Sequence, residues 1–298
     1  MSPIAARNAP GLRAACALVL ALFAAACGQE NALDSTSDDL APKLRVVAAN
    51  LTSGNSQGYE GPGVRILQGL KPDVTLLQEF NVGKNSTAEI QNFVTTTFGS
   101  GFTYYREAAT YHIPNGVISR YPIVASGSWA DSAVPDRAFA WAKIQLPSKR
   151  FLWAISLHLH TSTGSHKGEA AALIADITKA IPTADLLVMG GDFNAPNAND
   201  NAVKGLATVV DTAGPYPADV KGNHNTNQNR NKTYDWVLAD PELRSGEQAI
   251  TIAGVTLASG FIADTRTLPA GALAPALQTD SGASNMQHMA VVRDFLMP

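Results

Sequence analysis

Two segments, DVTLLQEF (73–80) and ADLLVMGGDF (184–193), are nearly continuous apolar runs of strand length. A strand apolar on both faces must be covered on both faces, so it sits in a sheet with packing above and below. LRVVAAN (44–50), FLWAISLHL (151–159), TYDWVLA (233–239) and HMAVVRDF (288–295) read as further strands. Segments 102–106, 116–119, 122–128 and 138–146 read as strands joined by turns. HKGEAAALIADITKAI (166–181) is the clearest helix, stopped by Pro182, and residues 62–70 have helical character that ends near Pro72. Helices alternating with strands, with hairpin-like strands between, predict an α/β protein of packed sheets flanked by helices. No repeat or low-complexity break divides residues 43–298, which read as one domain.

Residues before this domain belong to a different problem. Arg7 and Arg13 precede the apolar run ALVLALFAAA, Ala17 to Ala26. A positive segment followed by a short apolar core is the layout of a secretory signal, and the run is short of the roughly 20 residues that span a bilayer. A buried N-terminal helix is the plain alternative, but no polar face interrupts the run. Residues 1–27 end in AAAC, which resembles a bacterial lipobox with Cys27 as the lipidated residue. Ordinary cleavage to a soluble secreted product is the other possibility. Cys16 leaves with the signal, so the mature chain has one cysteine and forms no internal disulfide. Residues 28–42, polar and acidic and ending in Pro42, read as a flexible tether. The expected location is outside the cytoplasm, on a bacterial membrane through a lipid anchor.

The chain is 45% apolar and 16% charged, a globular mixture that excludes a disordered or collagen-like polypeptide. Loss of the signal removes two arginines and no acid, taking the formal charge from −3 to −5. No Lys/Arg run is present. That balance disfavours a tight nonspecific nucleic-acid binder, which normally carries a basic face.

Polar residues recur at the ends of the apolar strands. Asn50, Glu79, His158, Asp192 and Asn194 are placed to form one rim, where strand ends converge in α/β sheets. Glu79 follows an apolar strand directly. If buried it needs a cation; if not, it is a surface acid. In GGDFN (190–194) two glycines allow a tight turn, and Asp192 and Asn194 fall on one side of an extended segment. Asp192 could orient or deprotonate a water and Asn194 could donate to a phosphoryl oxygen, although an Asx turn would look the same. His158 could stabilise a developing charge, with His160 as its rival and a structural role as the plain reading. Asp235 lies inside an apolar strand and wants a partner; His288 is the natural one, since an Asp–His pair orients the imidazole and stabilises its cation. Separately, they read as a turn cap and a core histidine.

Taken in order, Asn50, LLQEF with Glu79, NGVISRYPI (115–123), SLHL with His158, GGDFN, YDWVL with Asp235, and His288 resemble the endonuclease/exonuclease/phosphatase superfamily, which includes DNase I and exonuclease III. The resemblance covers essentially everything after the tether. It implies a four-layer α/β sandwich of two packed mixed sheets flanked by helices. It also implies a hydrolase of phosphoesters dependent on Mg²⁺ or Mn²⁺, and a monomer is expected. Glu79 looks like the principal metal ligand with Asn50 beside it. His158 and Asn194 resemble a phosphate-binding pair, Asp192 the residue that positions or activates water, and His288 the catalytic histidine held by Asp235.

One position departs from the pattern. Met286-Gln287-His288 stands where Ser-Asp-His is usual, so Gln287 offers the metal a neutral carbonyl oxygen in place of a carboxylate. Lost charge weakens cation binding. Asp280 could substitute. A degenerate relative that binds a phosphorylated ligand without turnover is the alternative to an enzyme. Substrate is open among nucleic acid, phospholipid head group and small phosphate, because fold does not choose. TYHIPN (110–115) and the asparagine-rich loop GNHNTNQNRNKT (222–233) are expected at the cleft, the latter reading most simply as a polar surface turn.

Overall fold

The computed structural model of the chain describes residues 43–54, 57–108 and 113–298; the signal, lipobox and tether read from residues 1–42 lie outside the described residues. In chain order the elements are β1 (Lys43–Ala49), α1 (Gly61–Leu70), β2 (Val74–Leu77), α2 (Thr87–Thr97), β3 (Thr103–Arg106), β4 (Gly116–Ser119), β5 (Ile123–Ala130), β6 (Ala138–Gln145) and β7 (Phe151–His158). They continue with α3 (His166–Ala180), β8 (Leu186–Asp192), α4 (Asn201–Leu206), β9 (Asp235–Ala239), α5 (Pro241–Ser245), β10 (Glu247–Gln248), β11 (Ile250–Ile252), β12 (Val255–Leu257), β13 (Phe261–Ala263) and β14 (Ala290–Leu296). Among the described residues no helix is long and apolar enough to cross a membrane.

Strand alternation sorts these side chains into layers. In the first sheet, ordered β10-β14-β1-β2-β4-β3 with β13 also on β14, Leu44, Val46 and Ala48 of β1 face one way and Val47 and Ala49 the other. The first set meets Leu152, Ala154, Leu186, Val188 and Val237 of the second sheet, ordered β5-β6-β7-β8-β9. The second set meets Ile66, Leu67 and Leu70 of α1 and Ile90, Phe93 and Val94 of α2. On the far side of the second sheet, Ile155, Leu157, Leu187 and Met189 are covered by Leu173 and Ile177 of α3 and by Val203 and Leu206 of α4. The result is helix, sheet, sheet, helix: the expected four-layer sandwich. Leu76 and Val188 are fully buried at its centre, and truncating either to Ala would cost about 2–4 kcal/mol.

β1–β2 and β7–β8 are parallel, joined by crossovers through α1 and α3; the other pairs are antiparallel. The sequence reading omits α2. Its start is nevertheless written in Ser86 and Glu89: the Glu89 N–H donates to Ser86 Oγ at 3.3 Å, and the Ser86 N–H donates to the Glu89 carboxylate at 3.0 Å.

Candidate active site

Three functional candidates form one row across the second sheet. His158 pairs in register with Asp192, and Asp192 with Asp235. All three continue the inner-face positions of their strands. Along β8 the inward series is Leu186, Val188, Gly190, Asp192; along β7 it is Leu152, Ala154, Ser156, His158. The inter-sheet core therefore ends in a polar rim, reached simply by running each apolar strand one pair further.

Both glycines of GGDFN are required by their surroundings. A Cβ on Gly190 would stand 2.4 Å from the Trp236 carbonyl oxygen and 3.1 Å from Leu76 of the opposite sheet. Gly191 has φ +144°, and a Cβ there would be 2.0 Å from the Leu157 carbonyl oxygen and 2.7 Å from Gln78 Nε2. Glycine lets the strand press against Gln78 and adopt a backbone that side chains disfavour.

The first sheet supplies the other half. Asn50 follows β1, and Glu79 follows β2 with φ +49°, a left-handed turn unusual for glutamate that carries its carboxylate over the end of β1. Asn50 Nδ2 lies 3.4 Å from Glu79 Oε1 and 3.2 Å from Asp192 Oδ2. The Thr52 hydroxyl donates to Glu79 Oε2 at 2.9 Å, and Gln57 Nε2 approaches Oε1 at 3.4 Å. His288, just ahead of β14, enters because that strand runs antiparallel to β1 and so begins where β1 ends.

Asp192 is the hub. Its Oδ2 is 3.3 Å from Nε2 of His158 and 3.3 Å from Nε2 of His288, while its Oδ1 accepts the Asn194 N–H at 2.8 Å. His288 Nδ1 is 2.9 Å from Asp235 Oδ2. The two imidazoles have opposite character. Burial alone would lower His288, but the carboxylates of Asp235 and Asp192 outweigh it and push the ring up to about 10. Burial pulls His158 down to about 4, against Asp192 and helped by the charges of Arg137 and His288. At neutral pH one ring is a cation and the other is neutral. Burial pushes Asp192 up from the usual carboxylate range, opposed by both rings.

The structure thus brings Asn50, Glu79, His158, Asp192, Asp235 and His288 together, with Asn194 at the edge, where its Nδ2 donates to the Leu159 carbonyl at 2.9 Å. His160 is turned elsewhere: its Nδ1 accepts the Ser162 N–H at 3.0 Å. Gln287 is exposed beside His288, whereas Asn50 and Glu79 are buried. Asp280 is not the substitute for the missing acid. Its carboxylate is held by Arg65, at 3.0 Å from Nε and 2.5 Å from a terminal nitrogen, and also accepts the Leu277 N–H.

Several contributors escaped the sequence reading. Gln78 Nε2 donates to Ser156 Oγ at 2.9 Å, and Ser156 Oγ donates to the Leu77 carbonyl at 2.6 Å, pinning the two sheets together directly under the site. Tyr59 Oη donates to the Ala49 carbonyl at 2.6 Å and lies 3.2 Å from the Gln78 carbonyl, tying the ends of β1 and β2. The charge of Arg137 acts on His158, and on the buried Glu107 as well. The LLQEF pattern contained Gln78, but only the opposite sheet reveals what it does; Arg137 carried no sequence signal.

Two mixed sheets face to face, helices outside and a carboxylate–imidazole cluster on their common rim define the DNase I-like α/β sandwich. The chain belongs to the Endonuclease/Exonuclease/phosphatase family, whose profile matches residues 35–256. A comparison with curated proteins finds no match. Among solved structures, the fold is similar to an endonuclease/exonuclease/phosphatase from Bacteroides vulgatus, with TM-score 0.59 and 16% identity over 86% of this chain and 100% of that one. It is also similar to the human Nocturnin catalytic domain with bound sulfate, with TM-score 0.58 and 16% identity over 86% and 95% of the two chains. A mannosyl-6-phosphatase from Bacteroides thetaiotaomicron gives TM-score 0.55 and 14% identity over 84% and 98%.

Proposed function

We propose that this protein is a divalent-metal-dependent phosphoester hydrolase acting outside the cytoplasm. One arrangement carries the reading: a single carboxylate oxygen, Asp192 Oδ2, between a cationic and a neutral imidazole and against the Glu79–Asn50 pair.

Charge accounts for the metal. Glu79, Asp192 and Asp235 are buried in one network, and His288 is the imidazolium bonded to it. Three buried carboxylates with one bonded cation leave surplus negative charge, which is costly unless compensated. Oxygen donors of this kind fit Mg²⁺ or Mn²⁺. Asp192, Asp235 and His288 place candidate ligand atoms within 4.8 Å of one another. His288 Nδ1 and Asp235 Oδ2 are, however, committed to each other at 2.9 Å. Glu79 and Asn50 are therefore the better holders. The bound ion would supply Lewis-acid polarisation of the phosphoryl group.

The remaining roles follow from protonation. Asp192 orients a water and accepts its proton, a task that suits a carboxylate raised by burial. His288, with Nδ1 fixed by Asp235, donates from Nε2 to a phosphoryl oxygen. Neutral His158 and the Asn194 amide supply further donors. Exposed Gln287, in place of an acid, favours a second reading in which the site binds a phosphorylated ligand without turnover.

Hydrolysis of bis-p-nitrophenyl phosphate with Mg²⁺ or Mn²⁺, beside Asp192→Ala and Glu79→Ala, separates them. Equal rates in all three proteins would end the hydrolase reading. The export and lipid anchoring read from residues 1–42 belong to the same proposal, and Cys27→Ser should release the protein from the membrane fraction.

A further inference from the structure

Beside His288 lies a hollow of about 390 Å³ walled by Asn227, Gln228, Asn229, Tyr234, Asn285 and Gln287. Its walls are two strips of backbone laddered together. The Met289 N–H donates to the Thr226 carbonyl at 2.7 Å, the Gln228 N–H donates to the Gln287 carbonyl at 2.7 Å, and Asn227 bridges His288. The asparagine-rich loop is therefore no slack turn. Asn227 closes its tip, with Oδ1 accepting the Asn231 and Lys232 N–H groups at 2.9 and 2.8 Å. Gln228, Asn229 and Gln287 are exposed, and among the described residues their side-chain amides make no hydrogen bond.

The wall is uncharged apart from His288. The nearby guanidiniums are already neutralised. Arg230 pairs with Asp219 at 2.5 Å and with Asp264 at 3.1 Å, and Arg266 grips Asp264 through two nitrogens at 2.8 and 2.9 Å. Lys232 sits 5.6 Å from the Tyr234 ring centroid. A second hollow, which shares Asn285, is lined by Ser53 and Glu60, so its charged group is an acid. Apart from His288 and the exposed Lys232, a chain of phosphates would find little counter-charge along this surface. Side-chain amides both donate and accept, as hydroxyls do, and a tyrosine ring offers an apolar face to C–H groups.

We infer that this hollow is the leaving-group subsite and takes the uncharged, polyhydroxylated part of a sugar or polyol phosphate ester. The inference rests on the hydrolase reading. Water oxygen bonds to phosphorus, the bond from phosphorus to the sugar oxygen breaks, the water proton passes to Asp192, and the departing oxygen takes a proton from solvent water to leave as an alcohol, after which Asp192 returns its proton to solvent.

The test compares kcat/KM with Mn²⁺ for a hexose 6-phosphate, bis-p-nitrophenyl phosphate and a single-stranded oligonucleotide, in wild type, Gln228→Ala and Asn229→Ala. The hexose phosphate should exceed the oligonucleotide. Each variant should raise KM for the hexose phosphate by about fivefold, the weight of one neutral hydrogen bond, and lower its rate relative to bis-p-nitrophenyl phosphate. Preference for the oligonucleotide, or an equal loss on both small substrates, overturns the inference. If nothing is turned over, the hydrolase reading fails by itself, and calorimetry decides the subsite. Tighter binding of hexose 6-phosphate than of inorganic phosphate, lost in Asn229→Ala, sustains it; equal binding refutes it.

Discussion

His288 Nε2 stands 3.3 Å from Asp192 Oδ2 while its Nδ1 is 2.9 Å from Asp235 Oδ2, so one imidazole is bracketed by two buried carboxylates on adjacent strands. The bracket favours the ring's cationic form and turns its Nε2 toward Asp192, the residue proposed to hold the attacking water. Each member can be altered without changing its size.

Asp192→Asn keeps the shape and the acceptor for the Asn194 N–H but removes the base. The rate on bis-p-nitrophenyl phosphate should fall by about 10²–10⁴, the usual worth of a positioned proton acceptor. Steady-state kinetics check it, and a loss under threefold would remove Asp192 from the chemistry.

Asp235→Asn and His288→Gln should behave as one unit. We expect each to cost about 10²-fold or more in kcat, and the double variant little beyond either alone, since groups acting together are strongly non-additive. Multiplying losses in the double-mutant cycle would mean that the two residues work separately.

Gly191→Ala tests the backbone that presents Asp192. The new methyl would meet the Leu157 carbonyl oxygen at 2.0 Å, at a φ of +144°. Strain and overpacking together predict a loss of about 3 kcal/mol or more. A denaturant midpoint equal to wild type would contradict the register described for β7 and β8.

Glu107 gives a stability signature. It is 2% exposed, and burial pushes its carboxyl up from 4.5 to about 7, against a hydrogen bond from the Asn115 N–H at 2.7 Å. The folded state therefore holds this proton more tightly than the unfolded chain. Its contribution is complete below the unfolded value of 4.5 and is lost as pH rises through about 7. Glu107→Gln should match wild type near the acid end of that window. Above it the variant should be more stable by up to roughly 3 kcal/mol. Parallel pH–stability curves for the two proteins would exclude this.

Thermal melts with Mn²⁺ address the ion directly. Site-specific binding should raise the wild-type midpoint and leave Glu79→Ala unmoved. An equal rise in both would place the cation elsewhere.

Much of the site was legible because its residues sit where an apolar run stops. Glu79 follows a strand, His158 and Asp192 each close one, and Asp235 opens one; patterning placed them at strand ends, and the family resemblance gave them roles. Gln78 was equally visible but not interpretable, since its partner Ser156 belongs to the other sheet, 78 positions away. For Arg137 no pattern existed to read. Asp280 is taken up by Arg65, which reaches it across 215 positions, a pairing that no sequence pattern marks. Helix α2 has a written start at Ser86 and Glu89 but no long apolar stripe to reveal it, because its buried face holds just three apolar residues, Ile90, Phe93 and Val94, beside Thr97.

On the proposed hydrolase reading, the row His158–Asp192–Asp235 makes turnover a gauge of strand registration. Were β9 to slip by one position against β8, Tyr234 or Trp236 would stand opposite Asp192, and the Asp235 carboxylate would face the helices instead of the cleft. Such a protein would keep its strand content and nearly all its far-ultraviolet signal, yet be catalytically dead. For variants that alter these strands, enzyme assay will therefore detect misalignment that spectroscopy overlooks.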